Sequence, residues 1–130
     1  KFENAMPRND RDNLILNLTF DFAINVMDYC NELEEMRKWA LSNQLFRSGT
    51  SIGANIKEAQ NAESKADFIH KFKIAAKECD ETIYWLELIN CSKGLPETGS
   101  LMEEIEHIQK IINKIIISAK AKTTLTGSPE

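Results

Sequence analysis

Gln44, Arg47, Ser51, Asn55, Glu58 and Ala62 recur at three- and four-residue steps. On a helix such spacing gathers them into one ribbon of polar and small side chains. Downstream, Glu78 and Glu81 share a face with Ile74, Trp85 and Leu88. If the intervening turn lies near residues 62–65, antiparallel register sets Arg47 opposite residue 80, within reach of either glutamate. An arginine fork matches a carboxylate in two-pronged fashion, which suits a partly buried site. Such a ribbon either fixes helix register or a subunit contact, which is the favoured reading, or lines a groove for a ligand or partner. Buried polar groups that specify association are best attested in helical assemblies.

Three other arrangements are weaker. Glu104 and His107 have the ExxH spacing of carboxylate-bridged di-iron bundles, and Asp67 and His70 a DxxH variant of it. The two pairs lie near the starts of two antiparallel helices, hence at opposite ends of a bundle, and both histidines read as surface residues. Cys30, Cys79 and Cys91 fall within or beside apolar stripes, form no CxxC and have no histidine near in sequence. They read as small apolar residues in a reduced, cytoplasmic setting. Ser48-Gly49-Thr50-Ser51-Ile52-Gly53 is rich in small residues but lacks the GK[ST] ending of a phosphate loop. It fits mid-helix, where two glycines let another helix come close. The expectation is therefore no catalytic residue, no cofactor and no metal. Lysines form a further set: Lys65, Lys71, Lys73 and Lys77, then Lys110, Lys114, Lys120 and Lys122. These are either ordinary solvated surface or, when copies bring them together, a nucleic-acid contact; Lys110, Lys114, Lys120 and Lys122 are the candidates.

The elements that must position these residues follow from periodicity. No proline interrupts residues 8–95, and helices are predicted over about 10–34, 37–62, 65–92 and 100–122. In the first, Leu14, Leu18, Phe22, Val26, Tyr29, Leu33 and Met36 make one apolar face, and Leu16, Phe20, Ala23, Met27 and Cys30 a second. Two faces are more than one neighbour layer needs, which means a deeply buried helix or a subunit contact. Leu41, Leu45, Ser48, Ile52, Ile56 and Ala59 face the core from the second helix, and no breaker divides it from the first. Ser64 with Asp67, and Ser100 with Glu103, have capping-box spacing at the third and fourth helices. The third presents Phe68, Phe72, Ala75, Cys79, Thr82, Leu86 and Ile89 before Gly94-Leu95-Pro96. The fourth presents Leu101, Ile105, Ile108, Ile112, Ile115 and Ala119, widened by Ile111, Ile116 and Ile117.

Four amphipathic helices on short connections predict an all-α, up-down-up-down antiparallel four-helix bundle. Residues 1–122 form a single domain and 123–130 a polar, frayed tail. A chain of 130 residues with 42% apolar and 28% charged residues buries its own core. No apolar run reaches the roughly 20 residues needed to span a bilayer, so no membrane partner is expected. A net charge of −4 and a pI near 5.3 argue against coating nucleic acid through bulk charge.

The run Gln44-Leu45-Phe46-Arg47-Ser48-Gly49-Thr50-Ser51-Ile52-Gly53-Ala54-Asn55-Ile56-Lys57-Glu58-Ala59 resembles the signature of the bacterial four-helix bundle proteins, also called 23S rRNA intervening-sequence proteins. Ser64 to Ile69, Ala75 to Thr82 and Tyr84-Trp85-Leu86 continue the match. The resemblance covers about residues 10–122 and is strongest over 44–90. It implies an up-down bundle assembled into a ring-shaped homopentamer, with no established biochemical activity for most members. A related branch, the accessory variability protein of diversity-generating retroelements, is pentameric and basic and binds nucleic acid and a reverse transcriptase. The acidic charge departs from that branch. The leading expectation is a non-enzymatic oligomeric scaffold or binding module whose partner is itself; the alternative is a nucleic-acid-binding accessory protein.

Overall fold

The structure, a computed structural model, describes residues 13–126, with side chains placed as far as Lys122. Those residues form four helices and no strand: α1 (Leu14–Glu35), α2 (Trp39–Ala59), α3 (Lys65–Cys91) and α4 (Leu101–Thr126). Each helix packs on its two neighbours in the cycle α1, α2, α3, α4, and the backbones of the diagonal pairs stay more than 8 Å apart, Cα to Cα. Cross-contacts run in opposite senses along the α1–α2 and α2–α3 seams. Val26 and Thr19 meet Gly49 and Gly53, Ser48 and Glu58 meet Thr82 and Lys71, and Asp80 meets Gln109. Consecutive helices are thus antiparallel.

The core is the inner stripe of each helix. Phe22, Val26, Leu33, Leu45, Ile52, Ile56, Phe72, Leu86, Ile105, Ile108 and Ile112 are essentially sealed from solvent. Burying an aliphatic or phenyl side chain is worth roughly 1.5–3 kcal/mol each, so this stripe dominates the stability of the bundle.

Several boundaries differ from the periodic reading, each for a local reason. The start expected near Asp10 lies outside the described residues. The separation of α1 from α2, for which the sequence carries no glycine or proline, is made by Arg37 in the left-handed region at φ 62°. Its backbone N–H donates to the Glu34 carbonyl, and that of Lys38 to the Leu33 carbonyl, both at 2.9 Å. These are the two closing bonds of a Schellman end, with arginine where glycine is usual. α2 stops at Ala59, not at 62, because Gln60, Asn61 and Ala62 turn back onto the carbonyls of Lys57, Glu58 and Ala59. Ser64 caps α3 as expected, accepting from the Asp67 N–H at 3.0 Å, but the Asp67 carboxylate accepts from Glu63 N–H, one residue earlier than a capping box requires. At α4 the Ser100 hydroxyl donates to Glu104 rather than pairing with Glu103. α4 runs on to Thr126, through the first half of the expected tail.

The apolar stripes are also trimmed. Leu14 and Met36, at the two ends of the α1 stripe, stand exposed, as do Phe20 and Met27 of the second α1 face. Leu16 and Cys30 of that face are buried, because they lie on the side where α2 closes in. Ile117 does not widen the α4 stripe; it is the most exposed large apolar residue described. Leu41, Phe68 and Ile115 are only partly covered.

A left-handed arginine is strained by about 1 kcal/mol or more relative to glycine, offset in part by the greater chain entropy glycine loses on folding. Arg37→Gly is expected to stabilise the protein by ~0.5 kcal/mol, raising Tm by about 2 °C. Arg37→Val, β-branched and poorly suited to positive φ, is expected to lower it. Thermal unfolding followed by circular dichroism measures both.

Candidate functional site

The α2–α3 seam holds most of the polar ribbon. The approach of α2 to α1 fixes how α2 is rotated. A Cβ on Gly49 would sit 3.0 Å from both γ-methyls of Val26, and one on Gly53 3.2 Å from the Thr19 hydroxyl. With that side of α2 pressed on α1, the opposite side carries Gln44, Arg47, Ser51, Asn55 and Glu58 toward α3.

Arg47 is the centre of the cluster. One guanidinium nitrogen lies 3.5 Å from Glu78 Oε1, and the other reaches Glu81 Oε2 and the Gln44 side-chain oxygen. Glu81 Oε2 also accepts from the Trp85 indole N–H at 3.0 Å, and the Trp85 ring meets Tyr84 edge-on at 5.2 Å. Lys71 Nζ binds Glu58 Oε1 at 2.8 Å further along the seam, and this hydrogen bond is the main reason the lysine pKa is raised. The antiparallel register deduced from sequence therefore brings Arg47 to both glutamates.

Ser51 and Asn55 belong to the ribbon by position but not by bonding. The Ser51 hydroxyl donates to the Arg47 carbonyl at 2.6 Å, and the Asn55 amide to the Ser51 carbonyl at 2.9 Å. Both spend their donors on their own helix, as short polar side chains in helices commonly do.

Two buried polar contacts had no place in the ribbon. The hydroxyls of Ser48 and Thr82 lie 2.9 Å apart in the sealed seam, with Thr82 Oγ1 also 2.8 Å from the Glu78 carbonyl. At the opposite seam the Ser42 hydroxyl donates to Glu34 Oε2 at 3.0 Å, beside the Cys30 thiol. The signal for each was a hydroxyl at core spacing, since a buried polar group must find a partner. Among the described residues no buried side-chain nitrogen or oxygen is left without one.

The remaining candidates are dispersed. Cys30 and Cys79 are buried, and desolvation, the largest cause in each case, pushes the thiol pKa up, to about 12 for Cys79. A thiol held protonated is a poor nucleophile. Cys91 is exposed. Glu104 is engaged by Asn25 at 3.0 Å and by Ser100, while His70 and His107 are exposed. Among the described residues no three His, Cys, Asp or Glu side chains gather as a metal would need.

The four α4 lysines do not share one face. Lys110 and Lys114 stand exposed. Lys120 lies beside Lys73 of α3, whose proximity lowers its pKa. Lys122 rims a groove of about 360 Å³ with Lys65 over Phe68, Ile115 and Ala119. At the other end of the bundle a groove of about 290 Å³ has Asp28, Glu32, Glu97 and Glu104 along its walls, too far apart to share one ion. No described helix is long and apolar enough to cross a membrane.

Arg47 is about half exposed, so each of its ion pairs is worth little alone. Removing it also leaves Glu78 and Glu81 facing each other. Arg47→Ala is expected to cost ~1 kcal/mol in urea unfolding at low ionic strength, shrinking at about 1 M salt, where screening acts within roughly 3 Å. Equal costs at both ionic strengths would mean that packing of the arginine stem, not charge, holds the seam.

The geometry has counterparts. Residues 11–114 match the family described as 23S rRNA-intervening sequence protein. The fold is similar to the crystal structure of a protein of unknown function from the S23 ribosomal protein family of Bacteroides thetaiotaomicron. The two share 39% identity and a TM-score of 0.75, over 78% of this chain and 97% of that one. No curated protein matches. With four helices in register and a family match that spans most of its length, the chain belongs to the 23S rRNA-intervening sequence protein family.

Proposed function

We propose that this protein is a non-enzymatic, self-associating binding module that works as a homo-oligomer, with a homopentameric ring as the assembly. The observation that carries this reading is the set of large apolar side chains left in water on rigid helices. Ile24 and Met27 of α1, Trp39 and Phe46 of α2, and Tyr84 and Leu88 of α3 are each exposed by two-fifths or more. Apolar patches of this kind on a folded domain mark interaction sites. The polar cluster around Arg47 supports the same reading. Its side chains satisfy one another, as befits a device that fixes helix register.

Light scattering coupled to size exclusion gives the solution mass. The expectation is about five chains of 14.8 kDa, stable to dilution in the micromolar range, since closed symmetric oligomers are the common outcome of self-association. A mass of one chain across that range overturns the reading.

A second reading, an accessory protein that contacts RNA, is favoured by the proximity of Lys73 to Lys120 and by the groove that both Lys65 and Lys122 line. Lysines brought together on one side of a domain attract phosphate groups. The family name and the ribosomal-protein family of the structural neighbour accord with it. In this reading fluorescence anisotropy detects binding of a single-stranded RNA at about 50 mM salt, and the affinity falls steeply by about 200 mM as phosphate counterions compete. Lys73→Gln with Lys120→Gln weakens it further. No binding at the lower salt removes this reading and leaves the first intact.

A further inference from the structure

We propose that the groove between the start of α3 and the end of α4 binds a small anionic amphiphile, a straight alkyl chain ending in a carboxylate. This goes beyond both readings above and depends on neither.

The groove lies where the core stripes of two helices run out into solvent. On α4 Ile112 is sealed, while Ile115 and Ala119, the next steps of the same stripe, are half-buried. On α3 Phe72 is sealed and Phe68, one turn earlier, is half-buried. α2 has already ended at this level. Glu58 meets Lys71, so antiparallel register sets Phe68 beside the turn that follows Ala59.

The small residue at 119 keeps the groove open. Ile105, Ile108, Ile112 and Ile115 precede it on the stripe, and a side chain of that size at 119 would fill the space. With alanine there, about 360 Å³ remains over Phe68 and Ile115, at the lower end of the range for small-molecule sites. Phe72 backs Phe68, their ring centroids 4.6 Å apart, so the aromatic part of the floor is held in place.

Charge decides which apolar ligand fits. Lys65 of α3 and Lys122 of α4 line the groove with the Ser118 hydroxyl, and no acidic residue does, although acids outnumber bases in the chain by 20 to 16. Lys120, beside Lys73, adds to the positive field at this end. Two ammonium groups, one from each helix, match the two oxygens of a carboxylate, and their aliphatic stems extend the apolar wall. A neutral hydrocarbon makes no use of the lysines, and a bare polyanion makes no use of the floor. An alkyl carboxylate uses both.

Isothermal titration calorimetry of the full chain with hexanoate, octanoate and decanoate, each below its micelle-forming concentration, reads the affinities. Each added methylene is expected to tighten binding roughly fourfold until the groove is full. Octanol, with the same chain length and no charge, is expected to bind about fivefold more weakly than octanoate. Lys65→Gln with Lys122→Gln is expected to remove that difference, so that the two bind alike. Ala119→Leu fills the groove and leaves both lysines in place. It is expected to abolish octanoate binding without lowering Tm. Should that variant lose its helix content by circular dichroism, the lysine pair carries the test alone.

No binding of any of the three carboxylates overturns the proposal, as do affinities independent of chain length or octanoate binding unchanged in folded Ala119→Leu. Sedimentation of the protein with anionic phospholipid vesicles, without binding of free octanoate, makes the groove a contact for a lipid surface and overturns it too. Octanoate binding that appears only where dilution separates the copies assigns the groove to a second copy, with the same consequence. The solution mass and the RNA titration are separate measurements, so failure here is distinguishable from failure of either reading above.

Discussion

The close approach of α1 to α2 rests on residues 49 and 53 carrying no side chain. A Cβ on Gly49 would stand 3.0 Å from both γ-methyls of Val26, and one on Gly53 3.2 Å from the Thr19 hydroxyl, so either neighbour would have to give by a few tenths of an ångström. Glycine inside a helix costs about 1 kcal/mol against alanine, so two of them four residues apart are a considerable concession by the helix to its neighbour. The gain is register. With Val26 seated against Gly49 and Thr19 against Gly53, sliding or rotating α2 would trade these glycines for bulkier residues at the same approach. Everything α2 carries on its other side is then fixed relative to α1: Ser48 against Thr82, Arg47 against Glu78 and Glu81, Glu58 against Lys71.

The polar groups along α2 use that precision in two ways. Ser42 and Ser48 are buried, and each would be costly without a partner. Their partners, Glu34 and Thr82, come from the two helices that flank α2. Arg47 lies at the rim, where solvent screens its ion pairs, and it spans two carboxylates that repel one another without it. The two buried hydroxyl contacts penalise a wrong register, while the rim network adds a modest preference for the right one. A seam built this way contributes more to uniqueness than to stability, in line with the view of buried polar groups as specifying devices.

The helices and the α2–α3 seam were legible in the sequence because both rest on strong periodic signals. Phe22, Val26 and Leu33, or Ile105, Ile108 and Ile112, leave little choice of face, and the Ser64 cap is a local motif. Arg47 and the two glutamates could be paired because antiparallel register follows from the length of one turn. What was not legible depends on how helices lean. Periodicity counted Leu14, Met36 and Ile117 as core, yet they project at the margins, beyond the reach of a neighbouring helix. The break at Arg37 was hidden because its cause is a backbone conformation imposed by the packing of two helices, with no glycine to announce it. The α4 lysines were legible as solvated surface or a contact made between copies; their spacing spreads them around the helix axis, with Lys120 beside Lys73 and Lys122 on the rim of the groove that Lys65 also lines.

The second apolar face of α1 posed the one question that spacing alone could not decide, between deep burial and subunit contact. The structure divides it. Leu16 and Cys30 are buried under α2, while Ile24, at the next position outward, and Met27 remain in water. The division follows from the same close approach. By bringing α2 in against Val26 and Thr19, the glycines cover the near half of the α1 face. The far half lies beyond the line of contact, so Met27 stays at the surface, as does Phe46 on α2. A stripe wider than one neighbour can cover is therefore split by where that neighbour sits, and spacing along one helix does not contain that position.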